Sequence, residues 1–411
     1  MSNVFEKLGT KTLINAYAPM TRFGGGVMRD EVAAAMREAT QYCVDMPELQ
    51  AVASRIIAEV TGAEAGIVTS GASAGLLLGT AACVTGLDAA KMNRLPDLTG
   101  MKNEIIVIRG QRNSYDRALR AIGVTLVEVG VSDRANGTGI RDAELSEIRE
   151  AITDRTAAIF YLTKPHALPR LAEVVTLAHE FSLPVLVDAA AELPPGGNLR
   201  RFIADGADLV AFSGGKMIGG PQGSGILCGR RDLVAAALLQ QLDLDYTYDE
   251  WNPPAKLVDK QRLRGVPRHG VGRSCKTGKE QIVGLLTALQ LFAKESDKDR
   301  EARWQLLSEK LVALLGGVAS ISARVIPDPD LSGIPVVEVS LEKAGAKLGG
   351  TELLHQLRSG SPRIEVNPWR PADGVLILSP ACLREDDPPA IAERFQQILG
   401  SKSALASTAR R

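Results

Sequence analysis

The feature of this sequence that most restricts its fold is a regular alternation of short apolar segments and helical segments between residues 62 and 212. The apolar segments are rich in Val, Ile, Leu and Ala, and turn residues or helical periodicity separate them. They predict strands at residues 66–69, 104–108, 125–129, 157–162, 184–187 and 209–212. Strands that alternate with helices form a mostly parallel sheet covered on both faces, so the sequence predicts an α/β fold.

The remaining segments suggest how the chain is divided. Residues 1–49 are predicted to form an N-terminal arm and helix, and residues 50–285 a large domain that holds the parallel sheet. Residues 286–400 are predicted to form a smaller C-terminal α/β domain, with strands near residues 322–326, 336–340 and 374–378. The polar tail 401–411 is expected to be frayed.

Composition excludes several classes of function. Lys plus Arg and Asp plus Glu each number 48, and this balance argues against nucleic acid as the main partner. No run of about 18 apolar residues predicts a membrane span. The five cysteines lack CxxC pairs and the four histidines lack the spacing of metal ligands, so we expect no disulfide framework and no metal site. A cytoplasmic location is the corresponding expectation.

Two polar residues lie at the ends of the last two predicted strands. One strand, in LPVLVD, ends at Asp188, and the next runs through Ser213 into a glycine-flanked Lys216. Ligands of open α/β sheets bind beyond the carboxyl ends of the strands, so both side chains are expected at one edge. Glycine allows a flat cofactor to approach closely, and burial activates a lysine as a nucleophile. The pair predicts a pyridoxal-5′-phosphate (PLP) site, in which Lys216 forms the Schiff base and Asp188 faces the ring nitrogen.

A third segment suits the phosphate of this cofactor. The sequence TSGASAG, residues 69–75, places a turn of small residues between a predicted strand and a predicted helix over residues 76–85. Main-chain N–H groups at such a turn bind phosphate, and the helix dipole assists them. The hydroxyls of Ser70, Ser73 and Ser213 are candidates for additional hydrogen bonds.

Several motifs together resemble a known family. They are INAYAPMTRFGGGVM at residues 14–28, the segment 48–76 that ends in TSGASAGL, RGQRNSYDRAL at 109–119, LPVLVDAAAELPP at 183–195, FSGGKMIGGPQGSG at 212–225 and GRSCKTGKE at 272–280. In this order they resemble fold-type I PLP enzymes of the selenocysteine synthase-like group, and among these the D-glucosaminate-6-phosphate ammonia-lyase type. The resemblance extends over nearly the whole chain.

The resemblance implies roles for particular residues. It implies Lys216 as the PLP lysine, Asp188 as its ring partner, and a phosphate cup formed by Ser70, Gly71, Ala72 and Ser73. It implies Arg273 as an anchor for a substrate anion, and Gln111 at a position where the family usually has a ring-stacking histidine or aromatic residue. That departure leaves ring stacking and the exact reaction open.

The resemblance also implies a homodimer or larger homo-oligomer, in which Arg22 and residues 220–224 are candidates to reach the cofactor of the neighbouring subunit.

Further candidates come from the residues around these motifs. Arg112, Tyr115 and Arg363 are candidates for substrate binding. Arg268 and His269 lie on a Gly/Pro-rich loop that could order over the site, and Glu192 could orient a neighbouring arginine.

The expected reaction is α,β-elimination on a hydroxylated amino acid or amino sugar acid, which gives a 2-keto acid and ammonia. An amino-acid racemase or epimerase is an alternative, with Tyr115 or His166 as its second base. Selenium transfer to seryl-tRNA and a non-catalytic PLP-binding protein are further alternatives. The balanced charge argues against the former, and the intact Lys216 and Asp188 argue against the latter.

Overall fold

The computed structural model describes residues 3–131, 143–164, 167–245, 247–263, 265–328, 333–342 and 348–400. Its strands are β1 (Leu13–Ala16), β2 (Ala65–Thr69), β3 (Glu104–Ile108), β4 (Thr125–Val129), β5 (Thr156–Leu162), β6 (Val185–Asp188), β7 (Leu209–Ser213), β8 (Gly225–Gly229), β9 (Ile321–Pro327), β10 (Pro335–Leu341), β11 (Arg363–Arg370) and β12 (Val375–Leu378). Its helices are α1 (Val4–Lys7), α2 (Asp30–Ala39), α3 (Met46–Thr61), α4 (Ala72–Thr85), α5 (Ala89–Arg94), α6 (Arg117–Arg120), α7 (Leu145–Glu150), α8 (Leu171–Glu180), α9 (Asn198–Ala204), α10 (Arg231–Gln241), α11 (Lys279–Lys294), α12 (Asp297–Leu315), α13 (Gly350–Ser359) and α14 (Asp387–Leu399).

The chain forms two compact units, and the larger one contains residues Met28–Lys294. Among its described residues, seven strands form a sheet in the order β2-β8-β7-β6-β5-β3-β4. The strands from β7 to β4 are parallel, whereas β8 is antiparallel to both of its neighbours, β2 and β7. The predicted α/β fold with a mostly parallel sheet is therefore confirmed.

Helices cover both faces of this sheet. Consecutive strand residues point to opposite faces, so each strand contributes side chains to both layers. In β6, Leu186 packs into a cluster with residues of α4 and α10, and Val187 into a second cluster with residues of α3, α8, α9 and α11. The helix α4 lies so close to the sheet that a Cβ on Gly79 would be 2.9 Å from Leu186 Cδ1. Each fully buried Leu, such as Leu76 or Leu78 on α4, stabilises the fold by about 1.5–3 kcal/mol. The sheet edge that carries the candidate site is thus a rigid platform.

The smaller unit contains Met1–Val27 together with Glu295–Arg411. Its described strands form a sheet in the order β1-β11-β12-β10-β9, in which β1 pairs with β11 in parallel and the other pairs are antiparallel. The tail 401–411 lies outside the described residues.

The unit boundaries differ from the sequence-based division at residues 50 and 285. The helix α2 packs against α11 and α3 packs against β2, so residues 28–49 join the larger unit. The N-terminal arm joins the smaller unit, because its strand β1 extends the small sheet.

Within the part of the chain that the structure describes, no helix has both the length and the apolar character needed to cross a membrane.

Candidate active site

Lys216 lies on a tight loop that follows β7. The loop is closed by main-chain hydrogen bonds from Gly214 N to Ser224 O (2.9 Å) and from Gly220 N to Gly214 O (2.9 Å). A Cβ on Gly215 would lie 2.5 Å from the Cα atom of Gln222. Gly214 and Gly215 are therefore needed so that the loop can pack against its own return segment. These glycines were predicted from the sequence for a different reason, namely the close approach of a flat cofactor. This packing fixes the half-buried Lys216 at the carboxyl end of β7.

Asp188 is the last residue of the neighbouring strand β6 and is 4% exposed. Its main-chain oxygen accepts hydrogen bonds from the N–H (3.2 Å) and the hydroxyl (3.0 Å) of Thr163, which follows β5. Its carboxylate oxygen Oδ1 accepts a hydrogen bond from Ala190 N at 3.0 Å. These contacts hold the carboxylate at the same edge of the sheet as Lys216.

Burial shifts the pKa values of both groups toward their neutral forms. Burial raises the pKa of Asp188, against the lowering effects of the Ala190 N–H and the Lys216 charge. Burial lowers the pKa of Lys216, while the charges of Asp188 and then Glu192 raise it. Glu192 itself has a pKa raised by burial and by Asp188. The lysine is therefore influenced by two carboxylates and is easier to deprotonate than a lysine in water.

The predicted phosphate cup lies where β2 meets α4. The helix begins at Ala72, earlier than the predicted residue 76, and its N-cap is Gly71 with φ of +106°. Within the described ranges no side chain caps this helix end, so its first main-chain N–H groups are available to an anion. Ser73 belongs to the first turn of α4, and the Ser70 hydroxyl donates a hydrogen bond to Cys275 O at 3.0 Å. The helix N-terminus therefore suits a phosphate group.

Gln111 carries a buried donor that meets no partner among the residues that the structure describes. It ends a short 3-10 helix after β3 and is 2% exposed. Its Oε1 atom accepts a hydrogen bond from Leu162 N at 2.9 Å, whereas its Nε2 atom has no partner among the described residues. A buried donor without a partner costs about 1–3 kcal/mol, so its presence indicates a ligand that accepts this hydrogen bond.

Comparison with known proteins assigns the family. The family profile described as "SelA: L-seryl-tRNA selenium transferase" matches residues 21–247. The chain belongs to this family. The resemblance inferred from the motifs is confirmed. Since family and fold are PLP-dependent, so is this enzyme.

Two curated relatives are similar over almost the whole chain. A 5′-C-glycyluridine monooxygenase-decarboxylase from a Streptomyces species is 33% identical over 405 residues, covering 96% of this chain and 92% of the relative. A D-glucosaminate-6-phosphate ammonia lyase from Salmonella typhimurium is 29% identical over 406 residues, covering 96% and 98%. The solved structure of a D-glucosaminate-6-phosphate ammonia-lyase has a TM-score of 0.80 and 28% identity, and the match covers 97% of this chain and 98% of that one. The fold-type I architecture is thus that of this chain as well.

The residues of the larger unit fit PLP. A lysine with a lowered pKa lies beside a buried carboxylate, and an uncapped helix N-terminus is available to a phosphate. Gln111 adds a buried donor that has no partner among the described residues. The assignments of Lys216 to the aldehyde carbon, Asp188 to the ring nitrogen and residues 70–73 to the phosphate remain the interpretation that these features support.

Arg112 and Tyr115 stay predictions as substrate-binding residues. The guanidinium of Arg112 pairs with Asp116 (2.5 Å) and with Glu128, and these contacts raise its pKa. Tyr115 is 59% exposed. The ion pairs of Arg112 give it a structural role in the segment after β3.

The Arg273 loop is tied to the phosphate cup. Arg273 binds Asp243 Oδ2 at 3.0 Å and Gln241 O at 3.3 Å, and two residues later Cys275 O accepts the Ser70 hydrogen bond. Earlier in the same loop, His269 Nε2 lies 3.0 Å from Asp245 Oδ1. Arg273 is thus near the turn that precedes α4, with its guanidinium held by an exposed carboxylate.

The other predicted residues are held in different surroundings. In the smaller unit, Arg363 pairs with the buried Glu365 at 2.5 Å, and Arg22 stacks on the Phe23 ring at 4.4 Å. In the larger unit, Ser224 N donates to Pro221 O in the segment 220–224. The racemase candidate His166 lies outside the described residues.

Sequence reasoning missed two contributors to this site, Thr163 and Gly225. Thr163 holds the main chain of Asp188. Glu192 was expected to orient an arginine, and in the structure its charge acts on Lys216. Gly225 lies opposite both Thr69 and Ser213 in β8, so its missing side chain leaves room for the phosphate turn. Thr163 could have been predicted only from its position directly after a predicted strand, since polar residues there lie at the edge of the sheet where ligands bind.

Proposed function

We propose that this chain catalyses α,β-elimination on an amino acid or amino sugar acid that carries a hydroxyl group on Cβ. The products are ammonia and a 2-keto acid. The observation that carries the proposal is the coupled pair of Lys216 and Asp188 at the ends of adjacent strands, since each shifts the other's proton affinity. Similarity to ammonia lyases over at least 96% of the chain supports the choice of reaction.

PLP, when bound, supplies an electron sink for negative charge at the substrate Cα. In this proposal Asp188 holds the ring nitrogen, the main-chain N–H groups at the start of α4 bind the phosphate, and Gln111 Nε2 donates to the ligand. These contacts fix the ring at the sheet edge. A ring held in one position would keep the substrate Cα in the orientation that the reaction requires.

Lys216 acts as the base in the proposed reaction. Its lowered pKa favours the neutral amine, which takes the proton from Cα. The electrons of the Cα–H bond then form a Cα–Cβ double bond while the Cβ–O bond breaks, and the oxygen leaves as water after taking a proton. Hydrolysis of the resulting enamine by one water yields ammonia and the 2-keto acid, so the net change is loss of ammonia.

A second candidate is oxygen-dependent decarboxylation. It is favoured by the 33% identity to the Streptomyces monooxygenase-decarboxylase over 96% of the chain. Both candidates begin with negative charge at Cα, and they differ in whether the electrons expel a β-substituent or pass to oxygen.

The test is a screen of hydroxylated D- and L-amino acids and amino sugar acids with the purified holoenzyme, with and without oxygen. Ammonia and 2-keto acid in equal amounts, also without oxygen and absent in Lys216→Ala, support elimination. Turnover that requires oxygen and releases carbon dioxide favours the second candidate. Exchange of the Cα hydrogen from deuterated water with no product would indicate a racemase instead.

The proposal includes a homodimer or larger homo-oligomer in the cytoplasm that acts on a small molecule rather than on nucleic acid. The balanced charge of the chain supports a small-molecule substrate. Light scattering after size exclusion measures the assembly, and a monomeric mass with full activity would contradict it.

A further inference from the structure

The proposed elimination needs an acid as well as a base. Lys216 takes the proton from Cα, but the oxygen on Cβ leaves readily only after it has received a proton, because hydroxide is a poor leaving group. The proton donor must lie at the same edge of the sheet as Lys216 and must face a space that the substrate can enter. Glu192 meets both conditions.

Glu192 is held at this edge by the turn that follows β6. Its main-chain N–H donates to Ala189 O at 3.3 Å, and its main-chain oxygen accepts a hydrogen bond from Nδ2 of the buried Asn198 at 2.6 Å. The turn begins at Asp188, whose carboxylate accepts the Ala190 N–H. The main chain of Glu192 is thus fixed just after the carboxylate assigned to the ring nitrogen.

Glu192 lines a cavity of about 440 Å³ that opens beyond the carboxyl ends of β5 and β6. Thr163, which donates its hydroxyl to Asp188 O, lines the same cavity, so the cavity adjoins the strand end that carries Asp188. The carboxyl group of Glu192 is half-buried and has no hydrogen bond to another residue that the structure describes. It is therefore available to a hydroxyl group that enters the cavity.

The surroundings of Glu192 favour its protonated form. Burial raises the pKa of Glu192 and the charge of Asp188 raises it further, whereas three cations lower it, namely Arg201, Lys216 and Lys164. The charge of Glu192 in turn raises the pKa of Lys216, so the two groups interact directly. A carboxyl group that keeps its proton thus lies close to the lysine that acts as the base.

We propose that Glu192 is the acid of the elimination and gives its proton to the oxygen that leaves Cβ. The O–H bond of the carboxyl group breaks as a new O–H bond forms on the leaving oxygen, and the electron pair of the Cβ–O bond departs with the water. Lys216 gains the proton from Cα in the same turnover, so one proton passed from the lysine to the carboxylate restores both groups. The inference rests on the proposed function and assigns its second proton transfer.

The test compares two leaving groups, because chloride leaves without a proton and hydroxide does not. Ammonia release by the holoenzyme is measured with the hydroxylated amino acid that reacts fastest in the screen and with 3-chloroalanine of the same configuration. We expect Glu192→Gln to slow the first reaction about 100- to 10,000-fold and the second less than about threefold. An equal loss with both substrates, or an unchanged rate with the hydroxylated one, would overturn the assignment.

Glu150→Gln is the matched control. It removes an exposed carboxylate of α7 in the same unit and outside the cavity. Both rates are expected to match those of the wild type.

A second measurement does not depend on turnover. A carboxyl group whose pKa is raised by folding stabilises the protein below its ordinary pKa, and this contribution is lost as the pH rises through the raised value. Glutamine cannot ionise, so the urea midpoint of apo Glu192→Gln is expected to rise relative to that of the wild type from about pH 5 to about pH 8. The variant keeps the other titratable groups that line the cavity, namely Tyr161, Lys164, Arg170, Arg201 and Asp205. A midpoint difference that stays constant or falls with pH contradicts the proposal.

The failures of the two proposals can be separated. If the wild type releases ammonia from no hydroxylated substrate, the proposed elimination fails and the role of Glu192 fails with it. If the wild type releases ammonia and Glu192→Gln loses both reactions alike, the elimination stands and only the role of Glu192 is refuted.

Discussion

Gly225→Ala tests how the phosphate cup is built. Gly225 lies in β8, where its neighbours in the sheet are Thr69 of β2 and Ser213 of β7. A Cβ at this position would be 2.4 Å from the carbonyl carbon of Gly71 and 2.6 Å from the nitrogen of Ala72. Both are main-chain atoms of the turn, so no side-chain rotation relieves the contact. Ordinary contacts begin at 3.4 Å, so the start of α4 must shift by about 1 Å.

The shift affects stability and cofactor binding in different ways. Overpacking of a rigid site costs about 1–3 kcal/mol of unfolding free energy. A hydrogen bond to a charged group contributes about 1.5–3 kcal/mol and weakens steeply with distance, so losing one from the cup lowers PLP affinity about 10- to 100-fold. We therefore expect both a lower free energy of unfolding and a much weaker cofactor affinity in Gly225→Ala.

Gly197→Ala is the matched control, because Gly197 belongs to the same unit, is not a candidate site residue, and an added Cβ would meet none of the described residues within 4 Å. Urea unfolding of the apo-protein measures stability, and titration of the apo-protein with PLP, followed by visible absorption, measures affinity. The control is expected to match the wild type in both assays. If Gly225→Ala binds PLP within about twofold of the wild type, the phosphate is not held at this turn and the reasoning fails.

Three further predictions concern individual side chains. Asp188→Asn removes the larger of the two charges that raise the pKa of Lys216, so the neutral lysine persists to lower pH. The pH dependence of borohydride trapping of pyridoxal on the apo-protein should therefore move to lower pH. A move to higher pH contradicts the assignment. Gln111→Leu removes the unpaired donor and is expected to weaken PLP binding about tenfold, whereas an unchanged affinity would show that this donor does not reach the ligand. Arg112→Gln leaves the buried Asp116 without its 2.5 Å partner, so urea unfolding should show a free energy of unfolding lower by roughly 1–3 kcal/mol. The KM for the substrate is expected to stay constant. A raised KM would support a substrate-binding role for Arg112.

Much of the large sheet could be predicted from the sequence because its strands are short apolar runs between helices. Each of the six strands predicted there is present within a residue or two of its expected bounds. The antiparallel β8 was not predicted, since its sequence GILCG has little β-branched character and follows directly on the glycine-rich lysine loop. Strand β1 was also missed, because its partner β11 lies about 350 residues later and nothing local indicates the pairing.

The same distinction between local and long-range contacts applies to the candidate site. Lys216 and Asp188 could be located because strand ends of a parallel sheet share one edge, which is a local rule. The surroundings of the arginines were not predicted, and for Arg273 they depend on a carboxylate that the fold brings near. Arg273 meets Asp243, which lies 30 residues earlier in the chain. Arg112 meets Asp116 and Arg363 meets Glu365, so these acidic partners are close in sequence, but the motifs did not indicate that the arginines would be engaged by them.

The strand order itself arranges the proposed chemistry along the sheet edge. The predicted phosphate cup follows β2, Lys216 follows β7, and Asp188 ends β6. From β2 to β6 the sheet advances three strands, about 14 Å at about 4.8 Å per strand. A cofactor bound with its phosphate at the cup would therefore lie across the ends of β7 and β6, beside the lysine and the buried carboxylate. The motifs that carry these three groups are far apart in the sequence, and it is the strand order that brings them to one edge of the sheet.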